Sequence, residues 1–289
     1  MSFDMSFLLA FCAVFLAGLG AGAEGRSGLL SAFRLEGVML LGGLAGILAS
    51  SLPLGAALLI AGAAGAILSL RACAAENSWK GDAVLGGVAV NAFAPALAMV
   101  IARLSGGVRY SRKAFEFALR DRQFTVFLPV SLVIFFLFWL LLYHTRWGLK
   151  IRLSGEKPSA AEGLGVSSKG WRYAASLLGG FSCGLAGAAA LIFLGGGWSV
   201  EMGVGGLGFL AAAVLSLGRG RPFHTLLAAL MMALFLSGAG ALSEAFPHIP
   251  REVFQMLPYI AGILILIIRG SKGKMPGQGE GSLRRFMEP

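Results

Sequence analysis

The polar stretch KIRLSGEKPSAAEGLGV, residues 150–166, lies between two of the most hydrophobic segments of the chain. It carries charges of both signs, and its composition favours a short helix. Pro158 suits the first helical position, where the missing N–H of proline leaves no hydrogen bond unmade. Gly165 suits the end, because glycine is preferred just past a helix C-terminus. We therefore expect a short helix near residues 155–166, outside the apolar part of the chain.

The composition outside this stretch is that of a membrane protein. The chain is 57% hydrophobic and 13% charged, whereas soluble domains carry about 25% charged residues. Apolar runs of about 18 residues or more predict membrane-crossing helices. Nine apolar spans are predicted, at 5–22, 35–51, 53–70, 83–103, 124–143, 171–195, 204–217, 223–243 and 253–268.

Three of these spans are irregular. Segments 5–22 and 35–51 are glycine-rich and 204–217 is short, so each could be broken or re-entrant, which gives eight to ten membrane helices. The predicted fold is an all-α integral membrane domain over residues 1–268, followed by a polar tail at 269–289.

Glycine is abundant in the apolar spans. The chain has 43 glycines, and Gly-xxx-Gly spacing occurs in GLGAG (18–22), GGLAG (42–46) and GGFSCG (179–184). In a bilayer this spacing lets helix backbones approach closely. We therefore interpret these segments as helix-packing surfaces.

Positive charge is distributed unevenly between alternate loops. Sixteen Lys and Arg residues fall on one side of the predicted membrane and six on the other. The positive-inside rule places the richer side in the cytoplasm. That side includes the 150–166 stretch and the C-terminal tail. The net charge of +10 therefore indicates topology, and we expect no nucleic-acid partner.

No pattern of residues indicates a catalytic centre or a metal site. The three cysteines lie in or beside apolar spans without metal-ligand or disulfide spacing. The three histidines are scattered, and neither a metalloprotease motif nor a nucleophile–base pair can be identified from spacing. These residues are Cys12, Cys73, Cys183, His144, His224 and His248.

Polar residues inside apolar spans are candidates for a path through the membrane, since each is costly to bury in lipid. Asn91 lies mid-span, and Pro95 cannot donate the usual helical hydrogen bond to its carbonyl. Alternatively, Asn91 joins two helices. Glu36 follows the polar stretch 24–34 and could mark where a broken helix restarts, or pair with a neighbouring Arg. Phe93 could stack on a flat ligand or anchor the helix at the interface.

Two apolar spans resemble each other. PLGAALLIAGAAGAILS (53–69) and PFHTLLAALMMALFLS (222–237) both begin with proline and end in Leu-Ser. The charge count puts Pro53 outside and Pro222 inside, as an inverted repeat requires. Chance similarity between two low-complexity membrane segments is the alternative.

Residues 148–188, GLKIRLSGEKPSAAEGLGVSSKGWRYAASLLGGFSCGLAGA, resemble the central region of permease subunits of ATP-binding-cassette importers. The resemblance is to the simple-sugar and nucleoside permeases, which are related to the ribose and branched-chain amino acid permeases. The stretches GVGGLGFLAAAVLSLGRGRPFHTLLAAL (203–230), LEGVMLLGGLAG (35–46) and GGVAVNAFA (86–94) extend it. The signature GENPxAAxxxGI of that family is matched by Gly155, Glu156, Pro158, Ala160, Ala161, Gly165 and Val166.

The resemblance implies a role for each matched segment. Residues 155–166 would form the coupling helix that docks on a separate ATPase subunit, with ATP and Mg bound there and no cofactor in this chain. The substrate path would include Ser31, Glu36, Asn91 and Phe93. Lys157 replaces the usual Asn, and Ser31 stands near where an Asn is common. The resemblance therefore does not fix which cargo is carried.

The same resemblance implies an importer in the bacterial inner membrane. Its partners would be ATPase subunits, a second permease chain in a heterodimer, an extracytoplasmic substrate-binding protein and membrane lipid. A nucleoside is the first candidate cargo, followed by riboflavin and simple sugars, because the spans show little internal charge. An ATP-independent secondary transporter would need strong mid-membrane carboxylates, and a membrane enzyme would need clustered histidines or carboxylates.

Overall fold

A computed structural model describes residues 3–26, 34–49, 52–78, 83–104, 124–156, 158–194, 203–218, 221–246, 248, 253–254 and 256–270. Within these ranges the secondary structure is helical, without strands. The helices are α1 Phe3–Arg26, α2 Leu35–Leu48, α3 Leu54–Ser78, α4 Ala83–Leu104, α5 Phe124–His144, α6 Arg146–Glu156, α7 Pro158–Gly163, α8 Ser168–Leu194, α9 Leu207–Gly218, α10 Pro222–Ala245 and α11 Leu257–Gly270. Every predicted span contains one of them, which confirms the all-α membrane fold.

The lengths of these helices divide them into two groups. Five helices among the described residues are long and apolar enough to cross a membrane, or six if the bent pair α5–α6 counts as one span. Helices α2 and α9 have 14 and 12 residues, so they are only about 21 and 18 Å long. Since the hydrocarbon core is about 30 Å thick, neither short helix crosses it alone. Helix α1, one of the three irregular spans, is continuous over 24 residues.

Helices α1 and α8 form the centre of the bundle and run antiparallel. Cys183 Sγ lies 3.8 Å from the carbonyl oxygen of Ala17, and three residues further along α1, Gly20 faces Gly179. A Cβ at Gly20 would overlap the carbonyl of Gly179. The two backbones therefore touch through glycine, as the Gly-xxx-Gly spacing predicted.

Two groups of three helices repeat the same order of long, short and long. Helices α1, α2 and α3 form the first group, and α8, α9 and α10 the second. Each short helix packs against the long central helix of the other group, α2 on α8 and α9 on α1. Likewise, α3 packs on α8 and α10 on α1. With α1 and α8 antiparallel, this reciprocal packing is the arrangement expected of an inverted repeat.

Helix α6 was not anticipated from the sequence. It continues from α5 after a bend of 77° at Thr145. A Cβ at Gly148 would overlap the carbonyl oxygens of Leu141 and Leu142, so only glycine lets α6 fold back so closely. The buried residues Gly148, Ile151 and Ser154 recur every three positions, so they lie on one face of α6.

Candidate functional site

The two short helices meet at their N-termini through one carboxylate. Glu36, in the first turn of α2, accepts backbone hydrogen bonds from Val204 at 3.1 Å, Gly206 at 3.0 Å and Gly208 at 2.8 Å. The first N–H groups of a helix have no partner within the helix, and they carry partial positive charge. The Glu36 carboxylate therefore caps α9 and ties it to α2.

The turn before α9 depends on glycine. Gly203, Gly205 and Gly206 have φ values of 61°, 66° and 78°, a region that glycine adopts without steric cost. This backbone directs the N–H groups of alternate residues, Val204, Gly206 and Gly208, toward Glu36. A Cβ at Gly208 would also collide with the Glu36 backbone, 2.5 Å from its nitrogen. Sequence and geometry therefore agree that the contact needs glycines on the α9 side.

Asn91 of α4 completes this region. Its Oδ1 accepts a hydrogen bond from the backbone N–H of Gly37 at 2.8 Å, so it satisfies a first-turn donor of α2 as Glu36 does for α9. Two predicted site residues, Glu36 and Asn91, are thus brought together. Helix α4 continues through Pro95. We call Glu36, Gly37, Asn91 and residues 203–208 the short-helix junction.

Of the other two predicted path residues, only Phe93 lies within the described part of the chain. The side chain of Phe93 is 56% exposed and lies on the outer side of α4, which fits a lipid or subunit contact better than a buried ligand site. Ser31 lies outside the described residues. Tyr259 of α11, which sequence analysis did not select, places its hydroxyl 3.5 Å from the carbonyl oxygen of Gly205.

A second polar group, also missed, surrounds Arg34. This residue is 1% exposed. Its guanidinium donates to Glu76 at 2.7 Å, to Glu24 at 2.9 Å and to the Ser176 hydroxyl at 3.3 Å. Ser69 donates to the second oxygen of Glu24 at 2.5 Å and lies 2.9 Å from Ser176 Oγ. We call these five residues the Arg34 cluster.

The cluster corrects the expectation that the spans hold little internal charge. Glu24, Arg34 and Glu76 come from three separate segments, and each was assigned to a helix end or a loop. The bundle brings them together in its interior, where a buried charge persists only if it is paired. The sequence signal for this cluster was a serine close to an ionisable residue of the same helix. Ser69 lies about two turns before Glu76 in α3, and Ser176 lies about one turn after Arg172 in α8.

The segment near 155–166 forms a sharp elbow. Helix α7 begins at Pro158, as predicted, and ends in a turn at Gly165 with φ of 74°. The N–H of Val166 bonds to the carbonyl of Ala161 at 2.9 Å, and that of Gly165 to Glu162 at 3.0 Å. These two bonds form a Schellman motif, which stops the helix. We call α6 and α7 together the elbow.

The matched residues of the elbow divide between its inner and outer sides. Ala161 is fully buried and Gly155 half-buried, whereas Ala160 and Gly165 are exposed. Glu156 ends α6 and Pro158 begins α7. The outer side of α7 is therefore small and accessible, and Ala161 anchors its inner side.

Aromatic contacts join α6 to the start of α8. The rings of Trp147 and Trp171 meet edge to face with centroids 6.1 Å apart. Lys150 places its ammonium nitrogen 5.3 Å from the centroid of Trp171, within the range of a cation–π interaction. The elbow is thus attached to α8 by side chains as well as by the short connection at Val166.

Metal chemistry finds no support in the part of the chain that is described. No three His, Cys, Asp or Glu residues there are arranged to hold a metal ion. The three cysteines are free and buried.

Comparison with known proteins gives consistent matches over nearly the whole chain. The family model described as branched-chain amino acid transport system / permease component matches residues 5–268. The guanosine ABC transporter permease protein NupQ of Bacillus subtilis is 34% identical over 281 residues, covering 87% of this chain and 86% of the relative. The nucleoside ABC transporter permease protein NupC of Lactococcus lactis is 28% identical over 268 residues, with 84% of each chain covered.

A third relative is named for a different cargo. The Haloferax volcanii protein TsgC13, named for glucose transport, is 31% identical over 241 residues, which is 76% of this chain and 71% of the relative. No solved structure matches the chain significantly.

Proposed function

The chain belongs to the branched-chain amino acid transport system permease family, the permease components of ABC transporters, and on that premise we propose that it carries a nucleoside into the cell. The observation that supports this cargo most is the 34% identity to a guanosine permease over 87% of the chain. A second relative is named for nucleosides and a third for glucose. Riboflavin is the next candidate after nucleosides, because Lys157 and Ser31 depart from the pattern of the family, and simple sugars follow.

We propose that α7 is the coupling helix and lies on the cytoplasmic side. Its ends are defined by Pro158 and by the turn at Gly165, and its exposed residues are Ser159, Ala160, Glu162 and Gly163. A short rigid helix of this kind can transmit a push from a docked subunit. ATP and Mg would be bound by separate ATPase subunits, so the chain itself would transport without catalysing hydrolysis.

We propose further that the substrate path passes the short-helix junction. Discontinuous helices whose ends meet inside a membrane bundle commonly form transporter binding sites. At the junction, Glu36 and Asn91 place polar groups between α2, α4 and α9. A second permease chain, in a heterodimer, would close the path, and an extracytoplasmic binding protein would deliver the cargo to the inner membrane.

A secondary transporter is the rival function. Carboxylates inside the bundle, its expected sign, are present: the side chains of Glu24 and Glu76 are buried, and Glu36 is half-buried. However, Glu24 and Glu76 are paired with Arg34, and Glu36 is bonded to three backbone N–H groups. An ion-coupling carboxylate must gain and lose an ion during transport, and the salt bridges of Glu24 and Glu76 and the three hydrogen bonds of Glu36 oppose that exchange.

The test is affinity purification of the tagged chain in mild detergent, with mass spectrometry of co-purifying proteins. We expect an ATPase subunit and a second permease chain. The complex, reconstituted in liposomes with its binding protein, should take up radiolabelled guanosine only with ATP. Riboflavin or glucose should not compete at tenfold excess. Guanosine uptake by the chain alone, driven by an ion gradient, would overturn the proposal that the chain transports as part of an ATP-driven importer.

A further inference from the structure

The Arg34 cluster connects four segments of the bundle at one side chain. Arg34 immediately precedes α2, Glu24 belongs to α1, Glu76 to α3 and Ser176 to α8. Removing one partner of a buried ion pair leaves an uncompensated charge, which is strongly unfavourable. Moving one segment away from the cluster would therefore break a buried contact of Arg34. A movement of one segment is for this reason expected to displace the other three.

On one side, the cluster reaches the elbow. Asn77 follows Glu76 in α3, and its Oδ1 accepts a hydrogen bond from Arg172 at 3.4 Å. The residue before Arg172 in α8, Trp171, packs against Trp147 and Lys150 of α6. Since α8 starts two residues after the turn that ends α7, displacement of the elbow moves the α8 end that holds Arg172 and Ser176.

On the other side, the cluster reaches the short-helix junction. Arg34 is the residue before the first turn of α2, and Glu36 lies two positions further on. Because Glu36 holds the N-terminus of α9 through three hydrogen bonds, the position of Arg34 sets where the two short helices meet.

The cluster also has capacity for a second arrangement. Arg34 is shared between two carboxylates, and within the described residues its Nε and the Oε2 of Glu76 have no hydrogen-bond partner. Both atoms are buried. A guanidinium offers five N–H donors and pairs readily with one carboxylate through two parallel bonds. Arg34 can therefore turn both of its Nη groups to the two oxygens of Glu76, while Glu24 keeps the hydrogen bond from Ser69.

We propose that Arg34 is a positioning residue that couples the elbow to the short-helix junction by exchanging between these two arrangements. This inference rests on the proposed function, in which an ATPase subunit moves α7. The movement reaches α8 and α3, changes how Arg34 is shared between Glu24 and Glu76, and shifts the start of α2. The junction then opens or closes around the cargo.

Two serines of α8 offer a matched test. Ser176 and Ser182 are both fully buried. Ser176 contacts Arg34 and Ser69, whereas the hydrogen bond of Ser182 is to Leu178 of its own helix. Ser176→Ala and Ser182→Ala remove the same atom from the same helix. The measurement is guanosine transported per ATP hydrolysed by the complete complex in liposomes, alongside the melting temperature.

We expect Ser176→Ala to lower transport per ATP by about two- to thirty-fold, the range of single-residue effects on coupling. Ser182→Ala should leave the ratio unchanged. Arg34→Lys keeps the charge but cannot hold two carboxylates in a fork, so its ratio should fall further. If Ser176 and Arg34 only stabilised the fold, their replacement would lower the amount of folded protein. Transport and ATP hydrolysis would then fall together, and the guanosine transported per ATP would stay unchanged.

The outcomes separate this inference from the proposed function. A wild-type complex without ATP-dependent guanosine uptake would overturn both. Wild-type uptake with an unchanged ratio in Ser176→Ala would overturn the coupling role of Arg34 alone. If Arg34→Lys fails to fold, Ser176→Ala against Ser182→Ala decides the question.

Discussion

Oε2 of Glu36 accepts a hydrogen bond from the backbone N–H of Gly208 at 2.8 Å, across 172 positions of the sequence. The first turn of one short helix thus caps the first turn of the other. The same carboxylate also holds Val204 and Gly206. This contact joins the N-termini of α2 and α9, the short helices of the two three-helix groups.

Replacement of Glu36 should destabilise the protein. Glu36→Ala leaves three N–H groups without their acceptor and removes the negative charge from the α9 N-terminus. Each hydrogen bond to a charged group contributes about 1.5–3 kcal/mol, so loss of the three should lower the melting temperature by at least roughly 4–8 °C. Glu36→Gln retains an acceptor and should lose less. Thermal unfolding in detergent measures both, with Glu162→Gln on exposed α7 as the control. Equal melting temperatures in all three variants would contradict the capping role.

Glycine at position 187 should be needed for full stability of the folded protein. A Cβ there would overlap the carbonyl oxygen of Met39, so Gly187→Ala forces α2 away from α8. Overpacking of this kind costs about 1–3 kcal/mol. Gly238 is also inside a helix, but a Cβ there meets nothing within 4 Å. Gly238→Ala should therefore be neutral or slightly stabilising. The amount of monodisperse protein and its melting temperature test the pair, and equal behaviour would argue against close α2–α8 packing.

Asn91→Ala should weaken transport while leaving ATPase subunits bound. The substitution removes the 2.8 Å hydrogen bond to Gly37, which costs about 1 kcal/mol, and deletes a polar group from the proposed path. Guanosine uptake and recovery of ATPase subunits in the pull-down are measured on the same preparation. A lower melting temperature with normal uptake would show that Asn91 only ties α4 to α2.

The turn at Gly165 should be needed for coupling. Its φ of 74° strains any residue with a Cβ by about 1–2 kcal/mol, although no neighbour lies within 4 Å. Gly165→Ala should reduce transport strongly while the protein remains inserted, and Gly165→Asn, which tolerates this conformation, should reduce it less. Gly163→Ala, with open space and no positive φ, is the matched control. Wild-type uptake in Gly165→Ala would remove this turn from the mechanism.

Local features of the molecule were predictable because their causes are local. The apolar spans follow from composition over about 18 residues, and all nine contain helices. The limits of α7 follow from proline and glycine chemistry at Pro158 and Gly165. Helix α6 escaped notice because its buried face consists of Gly148, Ile151 and Ser154, and two of these are not apolar enough to draw attention in a chain this hydrophobic.

The sequence by itself therefore determined that this is an α-helical membrane protein, where its apolar spans lie and where α7 begins and ends. Only the tertiary structure decided that Glu36 would cap α9 and that Arg34 would be shared by Glu24 and Glu76. The reason is physical. Helix formation depends on neighbours within a few residues, whereas the partner of a buried charge depends on which helix ends the bundle brings together. The residues joined by these hydrogen bonds lie between 10 and 172 positions apart in the sequence.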